Sequence, residues 1–174
     1  MFRLDFADVP SAAAGFKRAV RGLEFDVAEL AIVTFLLAKA HGKPFVLLPA
    51  VVLGRFQHPY LVGHRDRLVA PGDLAGRRVG IRSYSVTTVT WLRGILADDY
   101  GVDLDRVTWI TFEEPHNRGV PRPARRAARG RGQGSGGHAD RRNLEVAIDH
   151  VYRQRLIPRR FTVDELFDEV TGRL

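Results

Sequence analysis

Residues 78–98 read RVGIRSYSVTTVTWLRGILAD, and this stretch decides the fold class. It predicts a strand over Val79–Arg82, a polar loop at Ser83–Ser85 and a helix over about Thr87–Asp98, because an apolar strand pattern is followed by apolar residues at helical spacing. A second strand is predicted at Val107–Phe112. The order strand, helix, strand favours an α/β domain with a mostly parallel sheet and flanking helices.

The residues before this stretch predict more elements of the same class. Ser11 is a suitable N-cap for a helix that reaches about Arg21, and a second helix runs from about Ala28 to a glycine cap at Gly42. Phe45–Val52 is apolar on both faces, as expected of a buried strand. Two further short strands are predicted at residues 2–6 and 60–62.

Residues 117–142 differ in composition from the rest of the chain. They contain eight arginines and six glycines, with Asp140 as the one acidic residue and Val120 as the one large apolar residue. The segment therefore carries +7, which is the net charge of the whole chain, and the 19 basic and 19 acidic residues outside it cancel. Its apolar surface is too small to offset the entropy of ordering. We predict a disordered linker, and the basic balance of the chain belongs to it.

Residues 143–174 return to a helical pattern. Leu144, Ile148 and Val151 lie at helical spacing, and Pro158 ends that helix. Thr162 and Glu165 have the spacing of a capping box, with Phe161 and Leu166 placed to form a hydrophobic staple. The predicted organisation is an α/β ligand-binding lobe at residues 1–116, the linker at 117–142 and a C-terminal helical pair at 143–174 that packs on the lobe.

Composition and motifs disfavour several classes of protein. The chain has no cysteine, which excludes disulfides and thiolate chemistry. It contains no HExxH motif and no phosphate-binding glycine loop, so we expect no metal and no cofactor. The first residues resemble no signal peptide, and the most apolar run, Ala28–Ala40, is shorter than the roughly 20 residues that a bilayer requires. We expect a soluble, cytoplasmic protein without a membrane partner.

Nucleic-acid binding is an alternative function that the basic segment suggests. The Arg/Gly-rich segment is similar to disordered RNA-binding tails, which act through phosphate charge. It lacks the interleaved aromatic side chains on which bases stack. We therefore expect no specific nucleic-acid partner.

The best candidate site is the loop between the first predicted strand and its helix. Arg82 ends the strand, and a guanidinium binds a carboxylate through two parallel hydrogen bonds. The hydroxyl groups that follow stand at a helix start, where free N–H groups and the helix dipole attract anions. The alternatives are a solvated arginine and ordinary N-capping by Ser85 or Thr87. The candidate binding residues in this loop are Arg82, Ser83, Tyr84, Ser85, Thr87 and Thr88.

Four more candidates lie further from that loop. Arg55 and His58 follow the predicted strand Phe45–Val52, and a histidine can protonate a ring carbon or hold a hydroxyl because its pKa lies near the working pH. The alternative for His58 is a structural or solvated role. Glu29 and Thr34 lie at or near the start of the second predicted helix, where Glu29 can simply complement the dipole and Thr34 can fill the core.

Residues 25–116 resemble the 4,5-dihydroxyphthalate decarboxylase family. The resemblance rests on DLAGRRVG at 73–80, VTTVTWLRGIL at 86–96 and YGVD at 100–103, and the second of these segments is the most specific. Two C-terminal segments, LIPRR at 156–160 and ELF at 165–167, are similar to the end of that family.

This resemblance implies one lobe of a fold like that of type 2 periplasmic substrate-binding proteins. It implies non-oxidative decarboxylation of 4,5-dihydroxyphthalate to protocatechuate, in phthalate degradation and without a cofactor. The ligand would be a small aromatic carboxylate, clamped by the residues named above, with His58 as the acid. Family members are roughly twice as long, as a two-lobed chain requires, so a second lobe is expected to be missing and this form to be inactive. The alternative is a solute-binding protein, as in ABC transporters, that holds a small carboxylate without catalysis.

Overall fold

The computed structural model describes residues 3–54, 56–117 and 141–167. Within these ranges the chain forms four α-helices and two strands, and the first helix continues into a π-helical turn at Arg18–Gly22. Short 3₁₀ turns lie in the connections. In chain order the elements are α1 (Ala12–Lys17), α2 (Ile32–Ala40), β1 (Arg78–Ile81), α3 (Thr87–Tyr100), β2 (Thr108–Thr111) and α4 (Arg141–Arg153).

The two strands form a parallel pair. Arg78 lies opposite Thr108, and Ile81 lies opposite Thr111. Parallel strands need a long crossover connection, and α3 supplies it. A Cβ atom at Gly80 would lie 3.1 Å from the Phe112 ring, so the glycine lets that ring lie against the pair. The predicted α/β class and its parallel strands are confirmed, with strand bounds that differ from the prediction by one residue.

The helix α3 packs on the sheet and ends at a glycine cap. It begins after Val86 and ends at Gly101, which has a φ of +65° and caps the last turn. Its buried side chains Val89 and Leu96 belong to one apolar cluster, which covers the sheet. The other buried members of that cluster are Ile81, Val86, Val102, Val107 and Trp109.

A second apolar cluster joins α2 to the C-terminal residues. α2 contributes the buried residues Val33, Phe35, Leu36 and Leu37. α4 packs against both α2 and α3, and the chain after α4 closes the cluster with Phe161 and Leu166, the residues of the predicted staple. From 141 onward the buried members are Leu144, Ala147, Ile148, Val151, Leu156, Ile157, Phe161, Val163 and Leu166.

Two predicted helix caps are present. The Ser11 hydroxyl accepts a hydrogen bond from the Ala14 N–H at 3.3 Å, which caps α1. The Thr162 N–H donates to Glu165 Oε2 at 2.7 Å, and the Glu165 N–H donates to Thr162 Oγ1 at 3.4 Å. This reciprocal pair is a capping box, and it opens the 3₁₀ turn Asp164–Leu166.

Three sequence predictions of regular structure are wrong. Phe45–Val52 forms no strand; the Leu47 N–H donates to the distant Leu166 carbonyl at 2.9 Å, while Val46, Leu48 and Val52 are exposed. A strand that is apolar on both faces needs layers on both sides, and the described residues offer only one. Residues 3–6 and 60–62 also form no strand, and His58–Tyr60 is a 3₁₀ turn.

The predicted linker lies almost wholly outside the described residues, which omit 118–140. At its edges, Asn117 is buried, and Arg141 and Arg142 belong to the first turn of α4. Among the described residues no helix combines the length and apolar character needed to cross a bilayer.

Candidate functional site

The starts of α2 and α3 face each other. The Val33 N–H, in the first turn of α2, donates to the Thr87 hydroxyl, in the first turn of α3, at 3.1 Å. Neither N-cap residue, Ala31 or Val86, makes a side-chain capping bond. First-turn N–H groups carry partial positive charge when no cap satisfies them. The hydroxyl of Thr87 therefore links α2 to α3. The N-cap of α3 is Val86, so neither Ser85 nor Thr87 caps this helix in the way that the sequence allowed.

Arg82 lies beside these helix starts at the carboxyl edge of the sheet. Its Nε lies 3.1 Å from Glu113 Oε2, and its carbonyl accepts the Glu113 N–H at 2.7 Å. Both side chains are more than 40% exposed, so solvent weakens the ion pair. A ligand carboxylate can therefore replace Glu113 at the guanidinium at small cost. Ligands of parallel sheets bind at this edge.

The loop after Arg82 is buried although it is polar. Ser83 is 1% exposed and Ser85 is 5% exposed. Within the described part of the chain, Ser83 Oγ is buried and has no hydrogen-bond partner. Most buried hydroxyls in native proteins are paired, so an unpaired one between a strand end and a helix start is a group that a ligand can satisfy.

His116 joins the site from the segment that follows β2. Its Nδ1 lies 3.3 Å from Thr34 Oγ1, in the first turn of α2, and its ring meets the Phe16 ring edge to face. The Arg21 guanidinium donates to the His116 carbonyl at 2.8 Å. Burial, and after it the positive charges of Arg82, Lys17 and Arg21, lowers the pKa of His116 to about 4. The ring is neutral at pH 7 and offers one N–H donor.

Thr34 is anchored from the same segment. Asn117 Nδ2 donates to the Thr34 carbonyl at 3.1 Å, and Thr34 is 1% exposed. The residues that end β2 are thereby tied to the first turn of α2, in the same way that Thr87 ties α3 to it. The structure brings together Arg82, Ser83, Ser85, Thr87, Thr34 and His116 at one edge of the sheet.

The other predicted site residues lie elsewhere. His58 is exposed, and its Nε2 lies 3.8 Å from Asp99 Oδ2, near the carboxyl end of α3. At 1.5 Å per residue, roughly 16 Å of helix separates Asp99 from Thr88. The structure therefore does not bring His58 to the loop Ser83–Ser85 or to the start of α3. Glu29 is exposed and precedes α2, which begins at Ile32 and not at about Ala28. Arg55 lies outside the described residues.

Tyr84 faces inward and contacts a residue that sequence reasoning missed. Arg93, the seventh residue of α3, is 0% exposed. Its Cζ lies 3.6 Å from the centroid of the Tyr84 ring, and its Nη2 donates to the Tyr84 carbonyl at 2.8 Å. Burial lowers the pKa of Arg93 to about 10, which leaves it charged at neutral pH.

The sequence signals for His116 and Arg93 differ. His116 follows the carboxyl end of β2, as Arg82 follows that of β1, so the rule that ligands bind at carboxyl ends of parallel strands points to both. Arg93 gives no such signal, because an arginine in the middle of a helix is normally solvated.

Two other kinds of site were considered among the described residues, a metal centre and a surface depression. The described residues hold no group of three histidine, cysteine or carboxylate side chains placed to bind a metal. A surface depression of about 730 Å³ lies at the carboxyl ends of α2 and α4, where His41 and Tyr152 line it. It is at the opposite end of α2 from Thr34.

Comparisons with known proteins were made for the whole chain. No family model matches it. It is similar to the 4,5-dihydroxyphthalate decarboxylase of Comamonas testosteroni, with 31% identity over 104 residues, which are 58% of this chain and 32% of that protein. It is also similar to the 4,5-dihydroxyphthalate decarboxylase of Pseudomonas putida, with 31% identity over 97 residues, 55% of this chain and 38% of that protein. The relationship is distant, and the chain spans about a third of the length of the curated relatives it matches.

Proposed function

We propose that this chain carries a carboxylate clamp that belongs to decarboxylase chemistry on an aromatic dicarboxylate of the 4,5-dihydroxyphthalate type. One observation carries the proposal: two helix starts whose own N-cap residues make no side-chain capping bond meet at the carboxyl edge of a parallel sheet, beside Arg82. The two relatives supply the reaction class through their names. The fold proposed with it is one lobe of a two-lobed, binding-protein-like enzyme, with the ligand between the lobes.

The clamp acts on the carboxylate that stays on the ring. First-turn N–H groups of α2 and α3 donate to it, Arg82 turns from Glu113 to it, and Ser83 Oγ gains a partner. Charged hydrogen bonds of this kind are stronger than neutral ones. The neutral His116 donates an N–H to a ring hydroxyl or to the same carboxylate.

Holding one carboxylate directs the loss of the other. A hydroxyl para to the departing carboxylate feeds electrons into the ring, and the carbon that bears that carboxylate takes a proton. The bond to the carboxylate then breaks, its electrons restore the aromatic ring, and carbon dioxide leaves. Such a step is favoured when water is excluded from the departing group, and a fixed clamp orients the ring for protonation.

Calorimetric titration of the chain with phthalate tests the clamp. Replacement of Arg82 by alanine should weaken binding by about 1.5–3 kcal/mol, the usual size of a charged hydrogen bond. Arg78→Ala is the matched control, because Arg78 is an exposed arginine at the other end of the same strand, and its loss should leave the affinity unchanged. A native chain that does not bind phthalate, or equal losses in the two variants, would count against the proposal.

A further inference from the structure

Arg93 is a permanent cation inside the protein. Its side chain is fully buried, and in the described part of the chain neither Nε nor Nη1 has a hydrogen-bond partner. The guanidinium meets the Tyr84 carbonyl, the Tyr84 ring and the Trp109 ring, whose centroid lies 5.9 Å from Cζ. None of these groups is a carboxylate. Burial of a charge without an opposite partner is costly, so stability does not explain this residue.

The position of the charge suggests what it does. Long side chains on a helix point back toward its first turn, and the guanidinium of Arg93 reaches the loop that precedes α3. There it holds the carbonyl of Tyr84, two residues before the N-cap residue Val86. A charge in a low-dielectric interior acts more strongly on its surroundings than a surface charge. Arg93 therefore adds positive electrostatic potential beneath the start of α3, where the N-cap residue Val86 makes no side-chain capping bond.

We propose that Arg93 is a positioning residue of the clamp: it fixes the Tyr84 backbone and supplies buried positive charge that strengthens carboxylate binding from beneath the loop. This inference rests on the proposed function, and it adds a residue that does not itself touch the ligand.

Replacement of Arg93 by methionine separates this role from a structural one. Methionine keeps much of the side-chain volume and removes the charge, and buried charges replaced by apolar groups often leave stability equal or higher. We expect the ligand-free variant to melt at or above the temperature of the native chain and to bind phthalate about tenfold more weakly, as the loss of one charged interaction predicts. A purely structural role predicts that melting temperature and affinity fall together.

The matched control is Arg106→Met. Arg106 is exposed and precedes the amino end of β2, away from the carboxyl edge. This variant loses the same charge, and its phthalate affinity should stay at the native value. An equal loss of affinity in the two variants would assign the effect to net charge and overturn the inference.

Arg93→Lys gives a second test that does not depend on the methionine chain folding. Tyr84 is the titratable side chain placed against this position, and a buried lysine loses its proton more readily than an arginine. Its phthalate affinity should fall between pH 6 and pH 9, whereas that of the native chain stays level.

The outcomes separate the inference from the function it rests on. A native chain that does not bind phthalate overturns both. A native chain that binds, together with methionine and lysine variants that bind equally well at every pH, overturns the role of Arg93 alone.

Discussion

At the scale of the residue, burial decides the charge of His116. In the unfolded chain its ring titrates near 6.5, whereas burial and the nearby cations lower its pKa to about 4 in the folded chain. Between these values the unfolded chain binds a proton that the folded chain excludes. The contribution of His116 is therefore fully present above pH 6.5 and is lost as the pH falls toward 4.

His116→Asn should remove this pH dependence. Asparagine keeps a polar group near the position of Nδ1, which contacts Thr34, and it does not titrate. From pH 7 to pH 5, the free energy of unfolding of the native chain should fall by about 2 kcal/mol more than that of the variant. Urea unfolding at the two pH values measures the difference. Parallel pH profiles of the two chains would show that folding leaves the pKa of His116 unchanged.

The residues of the site were predictable where local sequence determines them. Arg82, Ser83 and Thr87 stand between a strand and a helix, and that junction is readable from periodicity alone. His116 contacts a residue 82 positions away, and Arg93 is buried only because Tyr84 and Trp109 fold over it. His58 was selected for its chemistry, and only tertiary structure places it beside Asp99.

At the scale of the element, periodicity predicts helices better than strands. α3 and its glycine cap follow from residues close to one another in sequence, and so does the capping box at Thr162. The apolar segment Phe45–Val52 satisfies the pattern of a buried strand, but a strand forms only when neighbouring strands supply hydrogen bonds. Among the described residues the one distant carbonyl that accepts a backbone N–H of this segment is that of Leu166.

The contact between α3 and α4 depends on a glycine. A Cβ atom at Gly94 would overlap the imidazole of His150, whose ring also meets Trp91 edge to face. Gly94→Ala should therefore push α4 away from α3 and lower the free energy of unfolding by about 1–3 kcal/mol, the usual cost of overpacking. Gly15→Ala is the matched control, because a Cβ at Gly15 would lie 3.7 Å from the Phe25 ring, an ordinary contact.

A double-mutant cycle identifies the partner in that contact. In a His150→Ala background, Gly94→Ala should become neutral or stabilising by up to about 1 kcal/mol, since alanine is the better helix former. Denaturant unfolding of the four chains gives the coupling energy. A cost of Gly94→Ala that persists without the histidine ring would mean that the helix backbones, and not His150, limit the approach.

At the scale of the whole molecule, residues far apart in sequence complete one another. The cluster around Val33 and Leu36 is closed by residues from 141 onward, and the ion pair between Asp98 and Arg153, at 2.6 Å, adds a polar contact between α3 and α4. The carboxylate clamp sits at an open edge of this assembly, because Arg82 and Glu113 are both exposed.

That openness leads to the last prediction, that this chain binds an aromatic dicarboxylate without decarboxylating it. Decarboxylation needs the departing group shielded from water and an acid held near the ring. The described residues leave the Arg82 guanidinium of the clamp open to solvent and place His58 away from it, and the match covers about a third of each relative. The 174-residue chain should bind 4,5-dihydroxyphthalate in a calorimeter yet release no carbon dioxide above background. The Comamonas testosteroni relative is the positive control, and turnover within about tenfold of its rate would show that the clamp edge already forms a complete active site.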